Sequence, residues 1–92
     1  MKRKSVILVA MWAMVLATPV SHASEEFYGI IESRPKGNVG TWVIGGRNVE
    51  VTDKTRLEED HGPLVVGACV EVEYEGKAVG EITSEEKKKC GR

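Results

Sequence analysis

The stretch that decides the fold is LVVGACVEVEYEG, residues 64–76. From residue 70 it alternates strictly, with Val70, Val72 and Tyr74 on one face of an extended strand and Glu71, Glu73 and Glu75 on the other. Alternation with period two marks a sheet that has one buried and one wet side. Nothing in the stretch is a nucleophile, a general base or a metal cluster. It speaks to architecture and is silent on chemistry.

Downstream, Glu75, Gly76 and Lys77 read as a tight turn into a last strand over residues 78–84, with Ala78 and Ile82 as core positions. The tail EEKKKCGR, residues 85–92, is charged and expected to fray, apart from whatever Cys90 does. Upstream, DKTRLEEDHGP, residues 53–63, breaks the periodicity. It has room for one helical turn from Thr55, with Leu57 and Leu64 plugging the end of the fold, and Gly62-Pro63 rules out a long helix.

Before that link lie two strands, residues 39–44 and 47–52, joined by Gly45-Gly46. Two glycines between alternating apolar runs predict a two-residue hairpin, with Val49 and Val51 facing one way. The first strand, residues 27–34, carries apolar side chains on both faces at its start, which suits a strand curling through a barrel. Gly29 would permit a bend or bulge there, and PKGN, residues 35–38, is a turn by composition. Five or six short strands without an amphipathic helix predict an all-β fold, a small antiparallel barrel of the oligonucleotide/oligosaccharide-binding (OB) type. An SH3-like barrel is the alternative.

The chain starts as an exported protein does. Lys2, Arg3 and Lys4 precede an apolar run over residues 6–17, and Ser21 and Ala23 offer small residues for cleavage after Ala23. Such a run is too short to span a bilayer, which takes about 20 apolar residues. Residues 1–23 therefore read as a signal peptide and residues 24–92 as one small barrel domain, periplasmic or secreted, with no membrane span after cleavage. Three of the 13 basic residues leave with the signal and none of the 14 acidic ones, so the net charge moves from −1 to −4. An acidic domain repels phosphate backbones, which argues against a nucleic-acid partner.

A valine-rich hairpin end, a short polar link, a glycine-led alternating strand and a closing strand together carry a resemblance. Val49, Val51, Thr52, Thr55, Leu57, Leu64, Val66, Gly67, Val70, Val72, Gly76, Ala78, Gly80 and Ile82 form a pattern similar to that of a family of small exported bacterial domains of unknown function with an OB-like barrel. The resemblance implies an exported barrel and no catalytic residue. Cys69 and Cys90 are not part of that pattern.

These two cysteines are the only ones, and an even count in an exported chain favours a disulfide. Alternation puts Cys69 on the wet face with Glu71 and Glu73, where a cysteine invites a partner. A bridge between the two would contribute roughly 3 kcal/mol through chain entropy. Free or intermolecular thiols and a redox pair are the alternatives, although there is no C-x-x-C and nothing marks a low thiol pKa.

Glu58, Glu59, Asp60 and His61 offer ligand types for a divalent cation, but consecutive residues rarely converge on one ion, and the spaced ligands of a calcium loop are missing. Tyr28 and Trp42, if outward, and Arg47 form a candidate contact set for a partner, since exposed aromatics stack on sugars or bases. With so few large residues in the domain, Trp42 is also the natural core filler. No serine, histidine and carboxylate constellation suggests catalysis, and no cofactor is implied. The reading is an exported binding module for a protein, small-molecule or oligosaccharide partner, cross-linked through Cys69 and Cys90. A redox-responsive accessory and an acidic cation-binding protein are the alternatives.

Overall fold

A computed structural model describes residues 25–91; the expected signal peptide, residues 1–23, lies outside the described residues. The strands are β1 (Glu26–Ser33), β2 (Gly40–Ile44), β3 (Arg47–Val51), β4 (Arg56–Glu58), β5 (Cys69–Glu75) and β6 (Ala78–Glu85), followed by one 3₁₀ turn, Lys87–Cys90. They form a single sheet in the order β3-β2-β1-β5-β6-β4.

The all-β class is as expected, but the antiparallel barrel is corrected to a mixed, open sheet. β3 and β4 lie at opposite margins and do not pair, and β4 runs parallel to β6. A buried threonine explains β4. The Thr55 hydroxyl accepts the Thr52 amide at 3.1 Å and donates to the Val79 carbonyl at 2.9 Å, which pins the link to the start of β6. The chain then runs alongside β6 in the same direction, where a helical turn from Thr55 was expected.

β1 serves two ladders. Its residues from Glu26 to Ile30 pair with β5, whereas Ile31 and Ser33 pair with β2 across a register shift. A bulge of this kind bends and twists a strand. The sheet curls so that β3 lies against β6, and the hollow is filled by Ile31, Trp42, Ile44, Val49, Val51, Leu64, Val70, Val72, Val79 and Ile82. Full burial of one such side chain contributes roughly 1.5–3 kcal/mol.

Val70, Val72 and Ile82 occupy the core as alternation predicts. Ala78 does not. Glu73 pairs with Glu81 but Tyr74 with Val79, so Gly80 is an extra, bulged residue. The bulge reverses the phase of the β6 residues before it, placing Val79 in the core and Ala78 outside, while Tyr74, opposite Val79, stays half-buried against the core. The β2–β3 turn is as predicted, with Gly45 and Gly46 both at positive φ, 57° and 79°, as a primed hairpin requires.

Trp42 is fully buried, which removes it from the candidate contact set. The pairing of Ile31 with Ile44 sets its phase: Ile31, Ile44 and Trp42 all turn inward, while Tyr28 turns outward. The Trp42 indole Nε1–H donates to the Asn38 carbonyl at 2.8 Å, and the Arg34 guanidinium lies 4.1 Å above the ring. Arg34 also donates to the Leu64 carbonyl at 2.5 Å, the Gly37 carbonyl at 3.0 Å and Asn38 Oδ1 at 2.7 Å, tying the 35–38 turn to the loop before β5.

Candidate functional site

The outer face of β1, β5, β6 and β4 is a ladder of carboxylates. Glu26 sits opposite Glu73, Glu73 opposite Glu81 and Glu81 opposite Arg56, while the next row runs Tyr28, Glu71, Thr83 and Glu58. Like charges directly across a ladder destabilise a sheet. The counter-charge in the first row is Arg56, 3.1 Å from Glu81. Carboxylate oxygens of Glu26, Glu71 and Glu73 all lie within 4.8 Å of one another, the one group of three or more potential metal ligands among the described residues.

Crowding forces a proton onto this face. A hydrogen bond to Glu26, then partial burial, then the charges of Glu26, Glu73 and Glu85 push Glu71 up to about 7. Glu73 is raised as well, by desolvation first and then by Glu81 and Glu26. The unfolded chain releases the Glu71 proton near 4.5 and the folded chain near 7, so between those values folding takes up a proton. The stability this group supplies is present at low pH and lost as pH rises through about 7. Glu71→Gln is therefore expected to match the parent at about pH 4 and to exceed it at about pH 8 by about 1 kcal/mol, the repulsion left on this open face after solvent screening, or roughly 4–8 °C in Tm. Thermal melts by circular dichroism at the two pH values check this, and parallel curves for parent and variant would contradict it.

The second feature lies at the end of the sheet where β5 begins. Cys69 and Cys90 are joined, with sulfurs 1.99 Å apart and Cα atoms 5.9 Å apart. The outward phase of Cys69 is as predicted, yet the residue is only 2% exposed. The 3₁₀ turn folds back over β1 and β5 and covers it, so the tail expected to fray is instead held against the sheet. Beside the bridge opens a cleft of about 560 Å³, walled by the 61–68 loop on one side and by Cys69, Ser84, Glu85, Glu86 and Lys87 on the other. Val65 and Val66 line it and remain 52% and 60% exposed.

Ser84 braces the cleft. Its buried Oγ accepts the His61 amide at 2.8 Å, and the His61 ring Nδ1 lies 3.2 Å from the Ser84 carbonyl. A carbonyl can only accept, so Nδ1 is the donor in this contact.

The family model for a domain of unknown function, DUF5666, matches residues 28–86, from β1 to the residue after β6. The chain belongs to the DUF5666 family. No curated protein and no solved structure matches it. The DUF5666 match bears out the likeness to a domain family of unknown function. It stops before the 3₁₀ turn, so Cys69 lies inside the DUF5666 domain and Cys90 outside it.

Within this DUF5666 domain the sequence-predicted site residues are scattered. Glu58 ends β4, the Glu59 carboxylate accepts the Leu64 amide at 3.1 Å, Asp60 is exposed, and His61 binds Ser84. These four do not converge into a group of metal ligands. Arg47 lies 3.9 Å above the Phe27 ring, Tyr28 faces out beneath Lys89 Nζ at 5.7 Å, and Trp42 is in the core, so they form no shared surface. Sequence reasoning missed the exposure of Val65 and Val66 at the cleft and the place of Glu26 beside Glu71 and Glu73. The E-V-E alternation of β5 signalled an acidic face, but only the register with β1 and β6 shows which carboxylates meet.

Proposed function

We propose that this chain is an exported binding module that takes a ligand with an apolar body in the cleft beside the Cys69–Cys90 bridge. The observation that carries this reading is the exposure of Val65 and Val66, adjacent apolar side chains lining a concave surface of about 560 Å³. Concave, mostly apolar surfaces of a few hundred Å³ with a few convergent polar groups are the usual form of a ligand site. Here the polar groups are those of His61, Glu85 and Lys87. The signal-like start of the chain and the disulfide support export to the periplasm or beyond. The curl that brings β3 to β6 supports reading the open sheet as a relative of the OB-type barrel. No catalytic step belongs to this function.

A screen of small apolar and amphiphilic compounds by two-dimensional NMR tests the reading. Binders are expected to shift the amides of residues 61–69 and Lys87. The double substitution Val65→Ser, Val66→Ser should weaken them at least about tenfold with no loss of fold, since each buried valine contributes roughly 1.5 kcal/mol or more to a contact. Binders that shift other faces alone, or that ignore the double substitution, would refute the cleft. Calcium added in the same screen addresses the carboxylate face: shifts confined to Glu26, Glu71 and Glu73 would favour the cation-binding alternative.

A further inference from the structure

The disulfide closes one side of the cleft, and little else holds the segment that it closes with. Within the 3₁₀ turn no residue is buried and no side chain caps the N-terminus. Its polar contacts are local or loose: Lys88 pairs with Glu86 at 3.5 Å, and Lys89 Nζ stands 5.7 Å from the Tyr28 ring. Its lysines carry positive charge toward a face rich in glutamate, yet the ion pairs of the described residues include none between Lys87, Lys88 or Lys89 and the sheet. The family match ends at Glu86, just before the turn. Beneath it lie Cys69 and its half-buried cross-strand partner Ile30, which would form an apolar floor continuous with Ala68, Val65 and Val66.

We propose that the Cys69–Cys90 bond is a redox-cleavable clasp: reduction by a dithiol frees residues 87–91 and opens the cleft onto Cys69 and Ile30. The inference rests on the cleft being the binding surface. Cys90 is the more accessible residue of the pair, half-buried where Cys69 is covered. A thiolate of the dithiol attacks Cys90 Sγ, the bond between the two cysteines breaks, and Cys69 leaves as a thiolate that takes up a proton. The second thiol of the reductant then displaces Cys90, which is protonated in turn. The reductant ends as a disulfide, and two electrons and two protons have passed to the protein.

The test compares the oxidised chain, the same chain in dithiothreitol, and Cys90→Ser. Three readouts are taken: trypsin cleavage at Lys87, Lys88 and Lys89 by intact mass, the β-sheet signal by circular dichroism, and fluorescence of bound anilinonaphthalene sulfonate. Cleavage is expected to be about tenfold faster or more in the reduced chain and in Cys90→Ser, as for a segment whose opening costs little once the cross-link is gone. The sheet signal should persist and dye fluorescence should rise. Unchanged cleavage would show that the turn is held without the bond, and loss of the sheet would show a structural cross-link; either overturns the clasp. Dye bound equally by oxidised and reduced chains overturns the clasp but leaves the cleft as a binding surface. Dye bound by neither overturns the cleft reading, and the clasp with it.

Discussion

Trp42→Ala is expected to remove a third or more of the domain's stability, about 3–5 kcal/mol. The side chain is the largest of those fully buried, and removal of a buried tryptophan costs about 3–5 kcal/mol. At the usual 0.05–0.15 kcal/mol per residue, a domain of this size holds roughly 3–10 kcal/mol in all. The substitution also takes the indole donor from the Asn38 carbonyl and the aromatic face from under the Arg34 guanidinium. Arg34 in turn ties the 35–38 turn to Leu64, so the damage reaches the loop that leads into β5. Trp42→Phe keeps most of the packing and should cost about 1–3 kcal/mol, chiefly for the hydrogen bond. Urea unfolding followed by circular dichroism separates the two. A cooperative transition for Trp42→Ala within about 1 kcal/mol of the parent would contradict this account of the core.

The same residue marks where sequence reasoning stopped. Alternation within β5 placed Val70 and Val72 correctly because that information is local, and Gly45-Gly46 specified its own turn. Whether Trp42 faced in or out depended on how β2 pairs with β1, and a shift of one residue in register exchanges the faces of a whole strand. Ala78 failed for a related reason, since the bulge at Gly80 is a property of the β5–β6 pair and not of β6 alone. β4, at three residues, is too short to show any period, and its parallel course depends on the distant contact between Thr55 and Val79.

The candidate site divides in the same way. The pairing of Cys69 with Cys90 was legible from an even cysteine count and an expectation of export. The burial of Cys69 was not, because the residues that cover it come from the tail it is bonded to. Exposure of Val65 and Val66 was equally hidden, as they sit just before an alternating strand and continue its apolar character. The four consecutive ligand types in residues 58–61 were conspicuous in the sequence and are apart in space, whereas Glu26, Glu71 and Glu73, on two strands, are together.

Gly29→Val is expected to separate β1 from the β2–β3 hairpin. A bend or bulge at Gly29 was the sequence expectation, but the register shift comes later, between Ile31 and Ser33. What needs glycine here is proximity. A Cβ at this position would lie 3.0 Å from Gly45 Cα, 3.1 Å from Gly45 N and 3.1 Å from Ile44 Cγ2. Two of those atoms are backbone, and the Gly45 amide is committed to the Ile30 carbonyl at 2.9 Å, so the hairpin cannot yield without breaking that bond. Forced overpacking of this kind costs about 1–3 kcal/mol for one added methyl, and a branched side chain should exceed that. Gly29→Ala is thus expected to lower Tm by roughly 4 °C or more, with Gly29→Val lower still, and hydrogen exchange at the Gly45 amide should accelerate in both. Gly80→Ala is the control. A Cβ there would come within 2.9 Å of Glu75, but the atoms it meets are at the end of a flexible, exposed side chain that can swing away. Equal losses at the two glycines would mean that extended backbone simply tolerates alanine or valine poorly in these strands. A large loss at Gly29 with a small one at Gly80 would locate the cost in the contact between β1 and the hairpin turn, the junction at which one strand passes from one ladder to the other and the sheet acquires its curl.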